Sequence, residues 1–209
     1  TAQGASDDSA WARGQTWGIY GPLLTYIYKK DPKALEVFKA TTNYYLNHLP
    51  EDYIAFWDLS FTDGDDEPRD SSSNAIALCG MLEGIKYMDK DDPLREIYVN
   101  ACNRIMNSLI DNYLTKDIPE SNGLLLHAVY GKPFNNGVDE MNIWGDYFYM
   151  EALHRMLPDD FYYIDEIRKT YASMFPDSDP EEINPYNLKS MGFIVLSRYV
   201  VQHYPSLEA

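Results

Sequence analysis

The chain has 209 residues, 45% of them hydrophobic, and a formal net charge of −16. That length and apolar fraction suit one globular domain with a proper core and exclude a disordered chain. The acidic balance excludes nucleic acid and anionic membrane as partners, because both need clustered cations, and it means that an acidic ligand must be held by a few placed cations. The aromatic load, 18 Tyr and 4 Trp, suits a carbohydrate cleft but equally suits the filling of a helical core. Cys79 and Cys102, the two cysteines, fall on apolar helical faces and read as small buried hydrophobes. No run of about 18 apolar residues is present, so no membrane span is expected. No signal-peptide pattern is present either, which leaves the compartment open between cytoplasm and periplasm.

In chain order, residues 1–9 read as a polar loop ending in a helix-capping Ser6-Asp7-Asp8-Ser9. The first helix is predicted from Ala10 to Tyr28, with Tyr20, Leu23, Leu24, Ile27 and Tyr28 buried and Pro22 as a point of kinking. Asp31-Pro32 is an N-cap followed by a first-turn proline. The helix it opens should bury Leu35, Phe38, Leu46 and Leu49 and stop at Pro50. A loop through Tyr53, Phe56, Trp57 and Asp58 leads to an acidic segment, Thr62 to Glu67. Ser71–Ser73 can cap a third helix carrying Ile76, Cys79, Leu82 and Ile85. Asp92-Pro93 repeats the Asp-Pro device before a fourth helix, where Leu94, Ile97, Tyr98, Ala101, Ile105, Leu109 and Tyr113 keep the i, i+3, i+4 spacing.

A long loop from Asp117 to Asn142 contains an apolar piece at Leu124–Leu126, then His127, then a tight turn at Asn135-Asn136-Gly137. The fifth helix, from Ile143, is apolar almost all round and should be deeply buried. A sixth from Pro158 to about Phe175 and a seventh from about Leu188 to His203 complete the reading. Each unit is an inner helix, an Asp- or Pro-marked turn, an amphipathic helix and a long loop: an all-α array of helical hairpins, about seven helices in one domain. Such an array is either open or part of a closed helical barrel.

Trp11-Ala-Arg-Gly-Gln-Thr-Trp-Gly18 carries the chemistry. Arg13 and Trp17 are one helical turn apart and share a face. A guanidinium fork beside an indole plate suits a ligand with a carboxylate and a sugar ring. The competing reading is a buried Trp pair with Arg13 in an internal salt bridge.

At this stretch the chain resembles the unsaturated glucuronyl hydrolases, glycoside hydrolase family 88. Leu49-Pro-Glu-Asp with Phe56-Trp57-Asp58, then Pro68-Arg69-Asp70-Ser71-Ser72, then Gly137-Val-Asp-Glu with Trp144-Gly-Asp-Tyr-Phe-Tyr-Met-Glu-Ala-Leu153 agree in the same order. Gln15 favours this branch over the related unsaturated rhamnogalacturonyl hydrolases, which tend to have Asn there. The resemblance covers roughly residues 1–157 and leaves 158–209 as a divergent helical tail within the single 1–209 domain.

It implies a partial (α/α)6 toroid, the C-terminal half of such an enzyme. The implied substrate is the unsaturated uronic acid that polysaccharide lyases leave at the non-reducing end of oligosaccharides. An Asp would protonate the C4=C5 enol ether and direct water to C5, which is hydration rather than displacement at the anomeric carbon. Gln3, Arg13 and Trp17 match residues lining the subsite for that sugar: Arg13 on the carboxylate, Trp17 on the ring, Gln3 on a hydroxyl. The family's catalytic Asp lies upstream of the matched stretch, so no catalytic residue is assigned. Gly131–Asn136, reading Gly-Lys-Pro-Phe-Asn-Asn, does not match the Ser and Lys pattern with which some relatives contact a sulfate.

Trp57 and His127 are further cleft candidates, against a loop anchor and a satisfied structural His respectively. Asp70 reads as a cleft-rim carboxylate or a helix N-cap paired with Arg69, and Asp139 and Asp146 as displaced acids, with helix capping the simpler account of Asp146. No metal-ligand spacing, phosphate loop or nucleophile elbow is present, so neither metal nor cofactor is expected. The alternative function is a non-catalytic helical-repeat module or an incomplete fragment. Its partner would be a missing N-terminal half or a self-associating surface.

Overall fold

A computed structural model describes residues 3–157 together with Lys169, Ala172, Ser173, Pro176 and Asp177. The chain divides into two compact units, Thr1–Ala152 and Leu153–Ala209. The helix expected from Leu188 lies outside the described residues, as does the one expected from Pro158 apart from Lys169, Ala172 and Ser173.

Among the described residues five α-helices are delimited: α1 (Ala12–Lys29), α2 (Pro32–Asn47), α3 (Ser71–Gly84), α4 (Pro93–Asn112) and α5 (Ile143–Arg155). Short 3-10 turns occupy Ile85–Tyr87 and Lys132–Phe134. Among the described residues β-structure is limited to isolated bridges. The Asp-Pro device works as expected at α2 and α4: Asp31 accepts from Lys33 N and Asp92 from Leu94 N, with Pro32 and Pro93 at the first helical position. Pro22 is accommodated within a continuous α1.

The helices form the expected hairpins. α1 packs on α2 and on α3, and α3 packs on α4. The Cys79 thiol donates to Phe148 O, which brings α5 against α3. Thus α1 and α3 lie side by side, α2 packs on α1 and α4 on α3, and α5 meets α3 through Phe148. α3 is the central element, with thirteen of its fourteen residues buried. Its serines can be buried because each finds a nearby acceptor: Ser71 bonds Leu126 O, Ser72 the Asp70 carboxylate, and Ser73 Asp70 O. Glycines let neighbours approach: a Cβ at Gly80 would lie 2.8 Å from Ile19 Cγ2, and one at Gly84 would overlap the Phe38 ring. Cys79 and Cys102 are free and buried.

Three expectations about burial need correction. On α1 the buried residues are Ala12, Arg13, Thr16, Ile19 and Leu23, while Leu24 and Tyr28 are exposed. The face turned inward is the one that carries Arg13. On α4 the core face is Tyr98, Ala101, Cys102, Ile105, Met106 and Leu109, and Ile97 is exposed. α5 is buried on one face only: Tyr149, Ala152 and Leu153 are fully buried, while Ile143 is 80% and Tyr147 58% exposed. Depth follows a helix's neighbours, and α3, bounded by α1, α2 and α4, takes the place that the composition of α5 suggested.

The segment before α1 is pinned by Asp58. Its carboxylate accepts from Ala5 N (2.9 Å), Ser9 Oγ (2.7 Å), and Ser60 N and Oγ. The backbone bridges Trp11 to Asp58, with Ala12 N donating to Trp57 O and Leu59 N to Ala10 O. Burial alone would raise the Asp58 carboxyl, but these donors outweigh it and hold it below the usual carboxylate range. The bonds therefore stabilise the fold above the unfolded pKa of about 3.9, and that contribution is lost as pH falls through the depressed folded value.

Two outcomes are expected. Gly84→Ala should lower stability by about 1–3 kcal/mol in chemical denaturation, although alanine is the better helix former, because the Phe38 ring must move. Asp58→Asn should lower stability at pH 6. The gap from the parent should narrow when both are unfolded in denaturant near pH 3, and a gap independent of pH would contradict the account.

Candidate functional site

The inward face of α1 sets its second residue, Arg13, among groups from three other parts of the chain. Arg13 is 3% exposed. Nη2 donates to Tyr130 O at 2.8 Å, and Nη1 donates to Val129 O and reaches Ser72 Oγ at 3.5 Å. Asp70 Oδ2 lies 3.5 Å from Nη1. The flat cation sits over two indoles, Trp11 at 4.8 Å and Trp144 at 5.0 Å between centres. Trp144 in turn tilts onto Tyr130, 5.6 Å away. Burial is the largest influence on both charges: it lowers the Arg13 guanidinium and raises the Asp70 carboxyl, and their mutual attraction pulls each back. Asp70 is held further by Ser72 Oγ and Val129 N on Oδ1.

Asp70 occupies the N-cap position of α3, but its side chain makes no cap bond. It pairs with Arg13, not with Arg69 as one reading had it. Arg69 turns the other way, over the Phe56 ring at 3.8 Å, donating to Ile54 O and reaching Asp63 and Asp52. A carboxylate sunk beside a desolvated guanidinium gains more from that cation than a half-exposed arginine could supply.

Val129 and Tyr130 belong to a hairpin-like excursion of the long loop. Ala128 and Glu140 exchange both backbone bonds, Tyr130 N donates to Gly137 O, and Gly131 and Asn136 pair across the tip. The tip turns at Asn135 (φ 49°) and Gly137 (φ 55°), the Asn-Asn-Gly signal acting as expected. Asp146 lies in the first turn of α5, where an acidic side chain was expected, and it accepts from Leu124 N and Leu125 N at 3.0 and 2.9 Å, clamping the start of this excursion to α5.

Of the residues singled out from sequence, Arg13 and Trp17 lie one turn apart on α1 but in different surroundings. Trp17 is 40% exposed and meets the Phe148 ring edge-on at 5.3 Å. Gln3 is partly buried, and its Oε1 is enclosed without a hydrogen-bond partner, as are Asp70 Oδ2 and Trp144 Nε1. Trp57 is buried; its indole donates to Glu67 at 2.8 Å and packs near Phe61, bracing the loop before α3. His127 has φ 62° and its Nδ1 meets the Asp139 carboxylate at 2.6 Å, Asp139 itself having φ 60°. Its ring stands edge-on to Tyr113. Sequence reasoning missed the two carbonyls on Arg13 and the part of Trp144 as its second indole. Backbone acceptors leave no trace in residue type, whereas Trp144 stood in a matched stretch and could have been paired with Arg13.

Among the described residues no group of three or more His, Cys, Asp or Glu could hold a metal ion, and no helix is long and apolar enough to cross a membrane.

No family model matches the chain. Curated relatives do. It is 50% identical over 159 residues to an unsaturated chondroitin disaccharide hydrolase of Streptococcus pyogenes serotype M1, covering 76% of this chain and 40% of that protein. It is 37% identical over 156 residues to an unsaturated glucuronyl hydrolase of Bacillus sp. (strain GL1), covering 75% and 41%. Among solved structures, a variant of the Streptococcus agalactiae unsaturated glucuronyl hydrolase complexed with dGlcA-GalNAc6S is 50% identical with a TM-score of 0.74, over 76% of this chain and 42% of that one. The Bacillus sp. GL1 enzyme gives 37% and 0.71, over 75% and 41%. The chain thus spans about 40% of the length of the curated relatives it matches, and within that span it belongs to the unsaturated glucuronyl hydrolases, whose toroid of helical hairpins its own hairpins reproduce in part.

Proposed function

We propose that the chain forms part of the sugar subsite of an unsaturated glucuronyl hydrolase, which hydrates the C4=C5 double bond of an unsaturated uronic acid at the non-reducing end of an oligosaccharide. The observation that carries this reading is Trp17: a large indole left 40% exposed on the same helix, one turn beyond an arginine held by three other parts of the chain. An exposed flat ring on a fixed backbone is a stacking surface for a pyranose.

The work divides as the geometry divides it. Trp17 offers the plate. Gln3 is assigned to a sugar hydroxyl by the family match; its carbonyl oxygen lacks a partner but is enclosed, so accepting that hydroxyl requires its cover to move aside. Arg13 has spent most of its donors internally, so its share is a fixed positive charge beneath the subsite, favouring the uronate without releasing its own partners.

Hydration needs a carboxyl that protonates the enol ether and then directs water to C5. The carboxylates weighed from sequence have other duties: Asp70 is buried beside Arg13, Asp146 clamps Leu124 and Leu125, and Asp139 holds His127. We therefore place the acid–base group outside this chain. Trp57, buried under the loop, is assigned a supporting part, and His127 a place at the rim.

The isolated 209-residue chain should bind unsaturated uronyl disaccharides weakly and show no loss of their double-bond absorbance. Turnover abolished by Asp70→Asn or Asp146→Asn would overturn the assignment of the acid. Trp17→Ala should weaken disaccharide binding about tenfold with little change in melting temperature, since the ring is half exposed. Equal affinity of parent and variant would favour a protein-binding helical module instead.

A further inference from the structure

A second hollow lies at the end of the helices where α2 finishes and α3 is approached. It is an open cleft of about 460 Å³. Its walls are the last turn of α2 with Tyr44, Asn47 and His48, the arm before α1 with Asp8 to Ala10, and the loop Leu59 to Asp63. It is separate from the Arg13 cluster. The Trp11–Asp58 bridge forms the partition: the Trp11 ring reaches Arg13, while the flanking Ala10 and Leu59, joined by a 2.8 Å backbone bond, line the cleft.

The chemistry of the lining is specific. Tyr44 is 43% exposed and stacks on His48 with ring centres 4.2 Å apart, 30° from parallel, so one face is backed and rigid and the other is open. The His48 ring is fixed from below by its Nδ1 bond to Tyr44 O. Phe61 adds a second ring, itself braced by Trp57 at 5.7 Å. Asn47 presents an exposed amide, and Asp8 an exposed carboxylate. The Asp63 carboxylate is held in place by Glu51 N and Arg69 yet keeps lone pairs to spare. A preset aromatic plate flanked by carboxylates and an amide is the means by which proteins bind a pyranose: C–H faces stack, and paired hydroxyls donate to the carboxylates. The wall lacks any Lys or Arg, and its two carboxylates disfavour a uronate.

We propose that this cleft is a second carbohydrate site, taking an uncharged pyranose unit, distinct from the uronyl subsite in both place and charge preference. The occupant is set by the lining and does not require the uronyl reading to hold.

The full 209-residue chain, labelled with nitrogen-15, is titrated with N-acetylglucosamine, with glucosamine and with glucuronate, and amide shifts are followed. N-acetylglucosamine should move the amides of Tyr44, Asn47 and residues 59–63 at millimolar concentration, and glucuronate should not. Tyr44→Ala should weaken this binding at least tenfold, and Asp8→Asn several-fold. Trp17→Ala, which tests the uronyl subsite, should leave it unchanged. No shift at these amides with N-acetylglucosamine overturns the proposal, as does unchanged affinity in Tyr44→Ala. Shifts with glucosamine alone would mark a cation site and overturn it equally. Both substitutions fall on exposed side chains, and a parent-like amide spectrum of each variant shows that its fold is intact.

Discussion

One cation joins what the helices alone leave separate. Arg13 sits on α1, its counter-charge Asp70 precedes α3, its two carbonyl acceptors belong to the 128–140 excursion, and one of its two indoles stands on α5. Apolar packing of α1 on α3 is non-directional and could slide. A guanidinium with fixed donors cannot, because each N–H demands an acceptor in one direction. The register of the inner helices, and the height at which Trp17 emerges, follow from that cation.

The arrangement carries a cost. Removing a guanidinium and a carboxylate from water is expensive, and a 3.5 Å contact does not recover it all. The upward push on Asp70 and the downward push on Arg13 are the signature of that cost. The two carbonyls, the serine hydroxyl of α3 and the faces of Trp11 and Trp144 make up the difference, since desolvated cation–π contacts contribute about 2 kcal/mol each. A buried charge set of this kind is better explained by geometric specificity than by net stability: it fixes one arrangement of α1, α3 and the excursion. For the proposed subsite, where a ring plate is held at one height, specificity is the property that matters. The same end of the helices holds the cleft at Tyr44, so the proposed uronyl subsite and the proposed site for an uncharged sugar lie on either side of a single backbone bridge.

Much of the fold was legible in the sequence. Asp31-Pro32 and Asp92-Pro93 marked α2 and α4, and Asn135-Asn136-Gly137 marked the turn, because capping and left-handed turn residues act locally. Burial was harder to read. Leu24 and Tyr28 were assigned to the core because they are apolar at helical spacing, whereas α1 turns inward the face that carries Arg13 and Thr16. The serine-rich start of α3 looks more polar than α5, yet it is the buried helix, since Leu126 O and Asp70 supply partners that periodicity cannot foresee. The Trp11–Gly18 stretch was legible as a family pattern, but the different surroundings of Arg13 and Trp17 within it were not. Which of two residues one turn apart points inward depends on acceptors more than a hundred positions away.

The coupling between Arg13 and Asp70 tests this account most directly. In a double-mutant cycle of Arg13→Met and Asp70→Asn, followed by denaturant unfolding at pH 7, each single change should cost about 3–5 kcal/mol because it strands a buried charge. The double variant should then cost at least about 1 kcal/mol less than the sum, as neighbouring partners do. Additive losses, or single losses within about 0.5 kcal/mol of the parent, would contradict the claim that this cation holds α1, α3 and the excursion in register.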